Sequence, residues 1–190
     1  MGCCYQQSPI LIDVEGDGFD MTSADDGVRF DISGSGTPVR LSWTAGRADD
    51  GWLALDRNGN GRVDHGKELF GNFTDQPFNK REKNGFEALA EFDRLENGGN
   101  RDGRITDRDA VFERLWLWQD RNHNGVSEPD ELLKFASLGV TALHLRYEET
   151  KWMDRHGNWF RYRAPIDREG RGRGTYKWAY DVYLVRSELP

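Results

Sequence analysis

Five times in its first 125 residues the chain repeats one short pattern: an acidic or small residue, then oxygen-bearing or small side chains at every second place, closed by glycine at the sixth. The copies are DVEGDG from Asp13, DISGSG from Asp31, DRNGNG from Asp56, GGNRDG ending at Gly103, and DRNHNG from Asp120. Asn-Gly and Asp-Gly are ordinary turn residues, and one copy would say no more than that. Five copies point to loops that fold around a hard cation.

Calcium takes six to eight oxygens at about 2.3–2.6 Å, and an EF-hand loop supplies them in a fixed order. Side chains at positions 1, 3 and 5, the carbonyl at 7, position 9 and a carboxylate at 12 face the ion, with glycine at 6 for the bend. The loop from Asp120 meets this count with Asp120, Asn122, Asn124, the Val126 carbonyl and Glu131. Its position 8 is Ser127, which predicts loose pairing with a neighbouring loop and reads instead as a helix N-cap. The loop from Asp56 offers Asp56, Asn58, Asn60, the Arg62 carbonyl and Asp64, with Val63 at position 8. Lys67 occupies its position 12 and Glu68 comes one later, so that glutamate needs a wider exit turn. A third loop offers Asn100, Asp102, the Arg104 carbonyl and Asp109, but glycine holds its first position. Asp93, at the end of the preceding helical stretch, is the ligand that could fold back to replace it. The loops from Asp13, with Glu15 and Asp17, and from Asp31 have no acceptor at position 12, where Ala24 and Ser42 stand. For those two, hairpin turn and ion loop both remain open.

Residues 85–92 carry apolar side chains three and four apart and predict a helix. Thr106 with Asp109 predicts a capped second helix over 110 to about 118, its core stripe being Phe112, Leu115 and Trp116. Ser127 with Asp130 predicts a third, ending near Leu138. After Gly139 the period changes to two, and YKWAYDVYLV at 176–185 predicts a central strand. The expected fold class is α+β: an EF-hand-like helix-loop-helix calcium region over 8–140, flanked by an N-terminal β-hairpin region and a C-terminal antiparallel sheet. The division expected is a disordered end at 1–7, that calcium region, and a β extension over 141–190 packed on the same domain.

Charge narrows the partners. The formal charge is -7, and residues 141–190 hold ten Lys and Arg against seven Asp and Glu, so the acidic excess lies among the loops. Nucleic acid is a poor partner for such a chain, since phosphate binding needs a basic surface. The arginine-glycine run at 169–174 therefore reads as a solvated loop rather than an RNA contact. No run approaches 18 apolar residues, so no membrane insertion is expected. The two cysteines, Cys3 and Cys4, are adjacent and give the domain no internal disulfide staple.

The stretches SPILIDVEGDGFDMTS, DDGWLALDRNGNGRVDHGKELFGN, GFEALAEFD and LWLWQDRNHNGVSEPDEL resemble the EF-hand-like calcium-binding domains of large secreted bacterial proteins, the RTX or haemolysin-type and iron-regulated group. The match runs over about residues 8–147 with the loops in order. The resemblance implies a secreted or cell-surface location, calcium as the ligand, and a domain that folds or stiffens when calcium is met. One branch of that family cleaves itself at an Asp-Pro bond under calcium. The six prolines here follow Ser8, Thr37, Gln76, Glu128, Ala164 and Leu189, so that activity does not carry over to this chain.

The function expected is a non-enzymatic calcium-binding module. Asparagine at positions 3 and 5 of the two best loops keeps their charge low, which places affinity towards about 10⁻⁴–10⁻³ M. A calcium-dependent carbohydrate or adhesion module is the alternative, with Trp152 and Trp159 around the 154–158 turn as its candidates, and the identity of a protein or glycan partner is left open. A calcium-dependent hydrolase finds less support, because His65, His123, His144 and His156 are scattered and no nucleophile motif is present. His65 and His123 are expected to face solvent.

Overall fold

The computed structural model describes residues 7–77, 82–169 and 177–187. Of the disordered end expected at 1–7, residues 1–6, with Cys3 and Cys4, lie outside the described residues, as does most of the arginine-glycine run, at 170–174, while the Gln7 carbonyl accepts the Leu184 N–H.

Among the described residues the strands are β1 (Ile10–Ile12), β2 (Val28–Phe30), β3 (Val39–Leu41), β4 (Gly51–Leu55), β5 (Arg104–Ile105), β6 (Leu115–Trp118), β7 (Leu132–Lys134), β8 (Val140–His144), β9 (Glu148–Met153), β10 (Trp159–Arg168) and β11 (Lys177–Tyr183). One α-helix, α1 (Gly85–Ala90), and several short 3₁₀ turns complete them. Nine strands form one sheet in the order β5-β8-β10-β11-β1-β4-β6-β7, with β9 also on β10, while β2 and β3 make a separate hairpin. Every pairing is antiparallel.

Both faces of the sheet are buried, and alternation along each strand divides the core in two. Ile10, Ile12, Leu53, Leu55, Leu115 and Leu117 enter one cluster, under α1. Leu11, Trp52, Ala54, Trp118, Tyr180 and Val182 enter the other, against the β2-β3 hairpin and Trp43. In β10 the register shifts between Phe160 and Tyr162. That irregularity sends two residues of equal parity to opposite faces, Phe160 to the second cluster and Tyr162 to the first.

The expected α+β helix-loop-helix architecture is overturned. The helix at 85–92 is present as α1 followed by a 3₁₀ turn, Glu91–Asp93, with the Asn84 side chain accepting from the Glu87 N–H as its cap. The second expected helix is a 3₁₀ turn, Phe112–Arg114, running into strand β6. The third is strand β7 and a further 3₁₀ turn, Phe135–Leu138. The physical reason is short apolar runs: LWLW satisfies a helical stripe and a two-sided strand equally. Pairing of Trp52 with Trp118 and Leu55 with Leu115 decides for the strand.

The loops consequently connect strands. Trp118 and Leu132 are partners, and the Gln119 N–H donates to the Glu131 carbonyl, so the loop from Asp120 closes a hairpin. The loop from Asp56 likewise runs between β4 and a bridge of Ala54 with Leu69. Only the third loop is entered from a helix.

Candidate metal centre

All five loops share one local device. The carboxylate of Asp13, Asp31, Asp56, Asp93 and Asp120 accepts the amide of Gly18, Gly36, Gly61, Gly103 and Gly125 respectively, at 2.7 to 3.0 Å. Each of these glycines has positive φ, between 71° and 115°, which a side chain would resist. The bend thus turns successive N–H groups onto the first carboxylate.

In the loops from Asp56 and Asp120 the closing glutamate completes a circuit. Glu68 accepts from the Arg57 and Asp64 N–H groups at 3.1 and 2.8 Å, and is fully buried. Glu131 accepts from Arg121, Asn122 and Glu128 at 2.8, 3.3 and 3.4 Å, and is 2% exposed. A 3₁₀ turn at Gly66–Glu68 provides the wider exit that Glu68 needs. Position 5 reaches position 9 in both loops, as the Asn60 amide donates to Asp64 and the Asn124 amide to Glu128. The loops also touch each other. Ser127 is no helix cap; its Oγ accepts the Val63 N–H at 2.8 Å and donates to the Val63 carbonyl at 3.2 Å. Two position-8 residues are thereby joined by a hydroxyl where an EF-hand pair would use backbone.

The third loop repeats the circuit across an insertion. Asp93 folds back, accepting from Asp102 N–H at 3.2 Å as well as from Gly103. The intervening residues are taken up by a 3₁₀ turn, Leu95–Asn97, and by Gly98 at φ 83°. Asp109 accepts from the Asn100 and Thr106 N–H groups at 3.2 and 2.8 Å, and Asn100 donates to Asp102. Arg104 and Ile105 form β5, so this loop's position 8 pairs with Leu143 of β8.

At the Asp13 loop the structure gathers Asp13, Asp17 and Asp49, with one carboxylate oxygen from each within 4.8 Å of the others. Glu15 contributes its backbone N–H, which donates to Asp49, while its side chain lies exposed. Asp50 lies alongside, 1% exposed, with Oδ2 accepting the Asp20 N–H. Burial, and then Asp49, Asp13 and Asp17, push its carboxyl up to about 8 against the pull of that hydrogen bond. In the Asp120 loop the Asn124 amide holds Glu128 below the usual carboxylate range, whereas burial, Glu128 and Asp120 push Glu131 above it. Carboxylates crowded in this way are relieved by a divalent cation, and an all-oxygen donor set suits calcium. The Asp31 loop differs, since Ser33 and Ser35 hydrogen-bond to each other and only Asp31 is acidic.

Comparison with known proteins places these loops in a family. Residues 10–184 match the model of the SPM domain. The chain belongs to the SPM domain family. Over 159 residues the SPM domain is 38% identical to the iron-regulated protein FrpA of Neisseria meningitidis serogroup C, a match covering 83% of this chain and 14% of that relative. The chain therefore spans a small part of that relative's length.

Sequence reasoning missed Asp49, Asp50 and Glu128 in the SPM domain. Glu128 was legible, because position 9 of its loop is a ligand position. Asp49 and Asp50 enter only through strand pairing. His123 is not solvent-facing: its ring nitrogens lie 2.8 Å from the Thr44 and Asp26 carbonyl oxygens. His65 is half-buried. Trp152 packs at a tilt on Phe160 with ring centroids 4.0 Å apart, whereas Trp159 packs against the other core cluster near Tyr183. The two tryptophans thus stand on opposite faces of the sheet and form no common sugar platform. No helix among the described residues is long and apolar enough to cross a membrane.

Proposed function

We propose that this SPM domain is a calcium-binding module of a secreted or cell-surface bacterial protein, and that calcium stiffens it. The observation that supports the reading is the repeated circuit in the loops of Asp56, Asp93 to Asp109, and Asp120. In each, the first carboxylate accepts the amide of the loop glycine and the last carboxylate accepts amides near the loop entry. Position 9 adds charge in the two twin loops through Asp64 and Glu128. Binding of the ion to the folded state alone would raise stability by mass action, and without it the acidic loops repel one another. The proposal includes no catalytic step, and no Asp-Pro pair stands within the chain.

The test is calorimetric titration of chelator-stripped protein with calcium, repeated on Asp120→Ala. Several binding events are expected, with one lost in the variant, together with a fall in melting temperature in chelator. Absence of heat and an unchanged melting curve would overturn the reading and leave the loops as turns.

A further inference from the structure

Five asparagines stand directly before glycine: Asn58, Asn60, Asn84, Asn97 and Asn124. Such a pair can modify itself. The glycine nitrogen attacks Cγ of the asparagine, the bond from Cγ to Nδ2 breaks, and ammonia leaves with the amide proton. Water then opens the cyclic imide to aspartate or isoaspartate. The fold cannot exchange these glycines for slower neighbours. Gly59, Gly61, Gly98 and Gly125 have φ between 71° and 83°, and a Cβ added to Gly85 would come within 2.4 Å of the Phe70 carbonyl oxygen. What differs among the five pairs is where the attacking N–H points. Gly59 and Gly61 donate to the two oxygens of Asp56 at 2.7 and 2.9 Å, Gly125 to Asp120 at 2.8 Å, and Gly85 to Asp181 at 2.8 Å. A carboxylate beside the nitrogen holds its proton and opposes the amide anion that attack requires. Gly98 has no such partner. Its N–H reaches the neutral Leu95 carbonyl at 3.2 Å, the longest of these five bonds. Asn97 and Gly98 are both exposed, so water is at hand for the second step.

We propose that the pair of Asn97 and Gly98 is where the folded chain deamidates itself, and that Asp56, Asp120 and Asp181 guard the other four pairs. This goes beyond the calcium reading and does not depend on it. The consequence falls on the third loop. Deamidation adds a negative charge, and in the isoaspartate form one more backbone carbon, to the insertion between Asp93 and Asn100. It also cuts a tie, because Nδ2 of Asn97 donates to the Glu91 carbonyl at 2.7 Å. The 3₁₀ turn Leu95–Asn97, which lets Asp93 fold back, would loosen.

The test incubates the whole chain in mildly alkaline buffer below its melting transition and maps peptides by mass for the exchange of an amide for an acid. Wild type is expected to change first at Asn97, with Asn58, Asn60, Asn84 and Asn124 spared. Asn97→Gln, whose longer side chain closes the ring slowly, is expected to stay unmodified over the same time. Asp56→Ala is expected to speed the change at Asn58 and Asn60 roughly tenfold or more and to leave Asn124 spared. Asp120→Ala is expected to do the reverse. Wild type unchanged at Asn97, or changed first at a guarded pair, would overturn the proposal. So would variants whose freed pairs change no faster, or in which all pairs change together, since that is the mark of global unfolding and not of a lost guard.

Discussion

Ser127 joins two loops through a single hydroxyl, and that makes it the residue at which their coupling can be measured. It is 4% exposed and satisfies both backbone groups of Val63. Alanine would leave a buried N–H and carbonyl unpaired, which costs about 1–3 kcal/mol. Urea unfolding of Ser127→Ala should show that loss, and calcium binding at the Asp56 loop should weaken although no ligand has been touched. Threonine at 127 keeps the hydroxyl and should restore much of both. The first carboxylate and the closing glycine of each bend were legible from spacing. A carboxylate that accepts an amide five positions ahead is a local event, and its glycine is dictated by positive φ. Asp93 was legible for the same reason, as the nearest acid before a loop whose first position lacked one. Asp49 and Asp50 carried no such signal, since DDG before an apolar run is also a plain turn.

Strand β6 shows how an element is decided. As a helix, residues 110–118 would bury Phe112, Leu115 and Trp116 and leave Leu117 at the edge of the stripe. As a strand they bury Leu115 and Leu117 on one face and Trp118 on the other, each fully, while Trp116 is half-buried beneath Lys134. Leu117 lies over Gly51, where an added Cβ would come within 2.3 Å of its Cγ, so the glycine makes room for the leucine. Leu117→Ala should therefore cost about 2–5 kcal/mol in chemical denaturation, as buried leucine truncations do. Trp116→Ala should cost less than Leu117→Ala; the reverse order would restore the helix. Loops that fit an EF-hand in residue order are here the connections of hairpins, because the ligand pattern fixes the loop and says little of what enters and leaves it.

Across the whole molecule, β11 sits between β10 and β1, so the two ends of the described chain meet in the middle of the sheet. Asp181, fully buried there opposite Ile10, accepts the Gly85 N–H at 2.8 Å and thereby ties β11 to the start of α1. Burial pushes its carboxyl from 3.8 to about 7. Between those values the folded chain keeps a proton that the unfolded chain has lost. Its contribution is complete below about pH 4 and is lost as pH rises to about 7. Melting temperatures of wild type and Asp181→Asn, measured from pH 4 to 8, should diverge in favour of the variant as pH rises, because the amide keeps the acceptor for Gly85 and sheds the charge. By itself the sequence determined where the chain bends, that the stretch expected to be helical at 85–92 opens as a helix, Gly85–Ala90, and that the aromatic run at 176–185 carries a strand, Lys177–Tyr183. Those are decided within a few residues by glycine, capping and periodicity. Only the tertiary structure decided that LWLW is a strand, that the sheet is buried on both faces, and that Asp49 is brought beside Asp13 and Asp17. Each of these depends on a partner strand far along the chain, and no local preference encodes the register of that meeting.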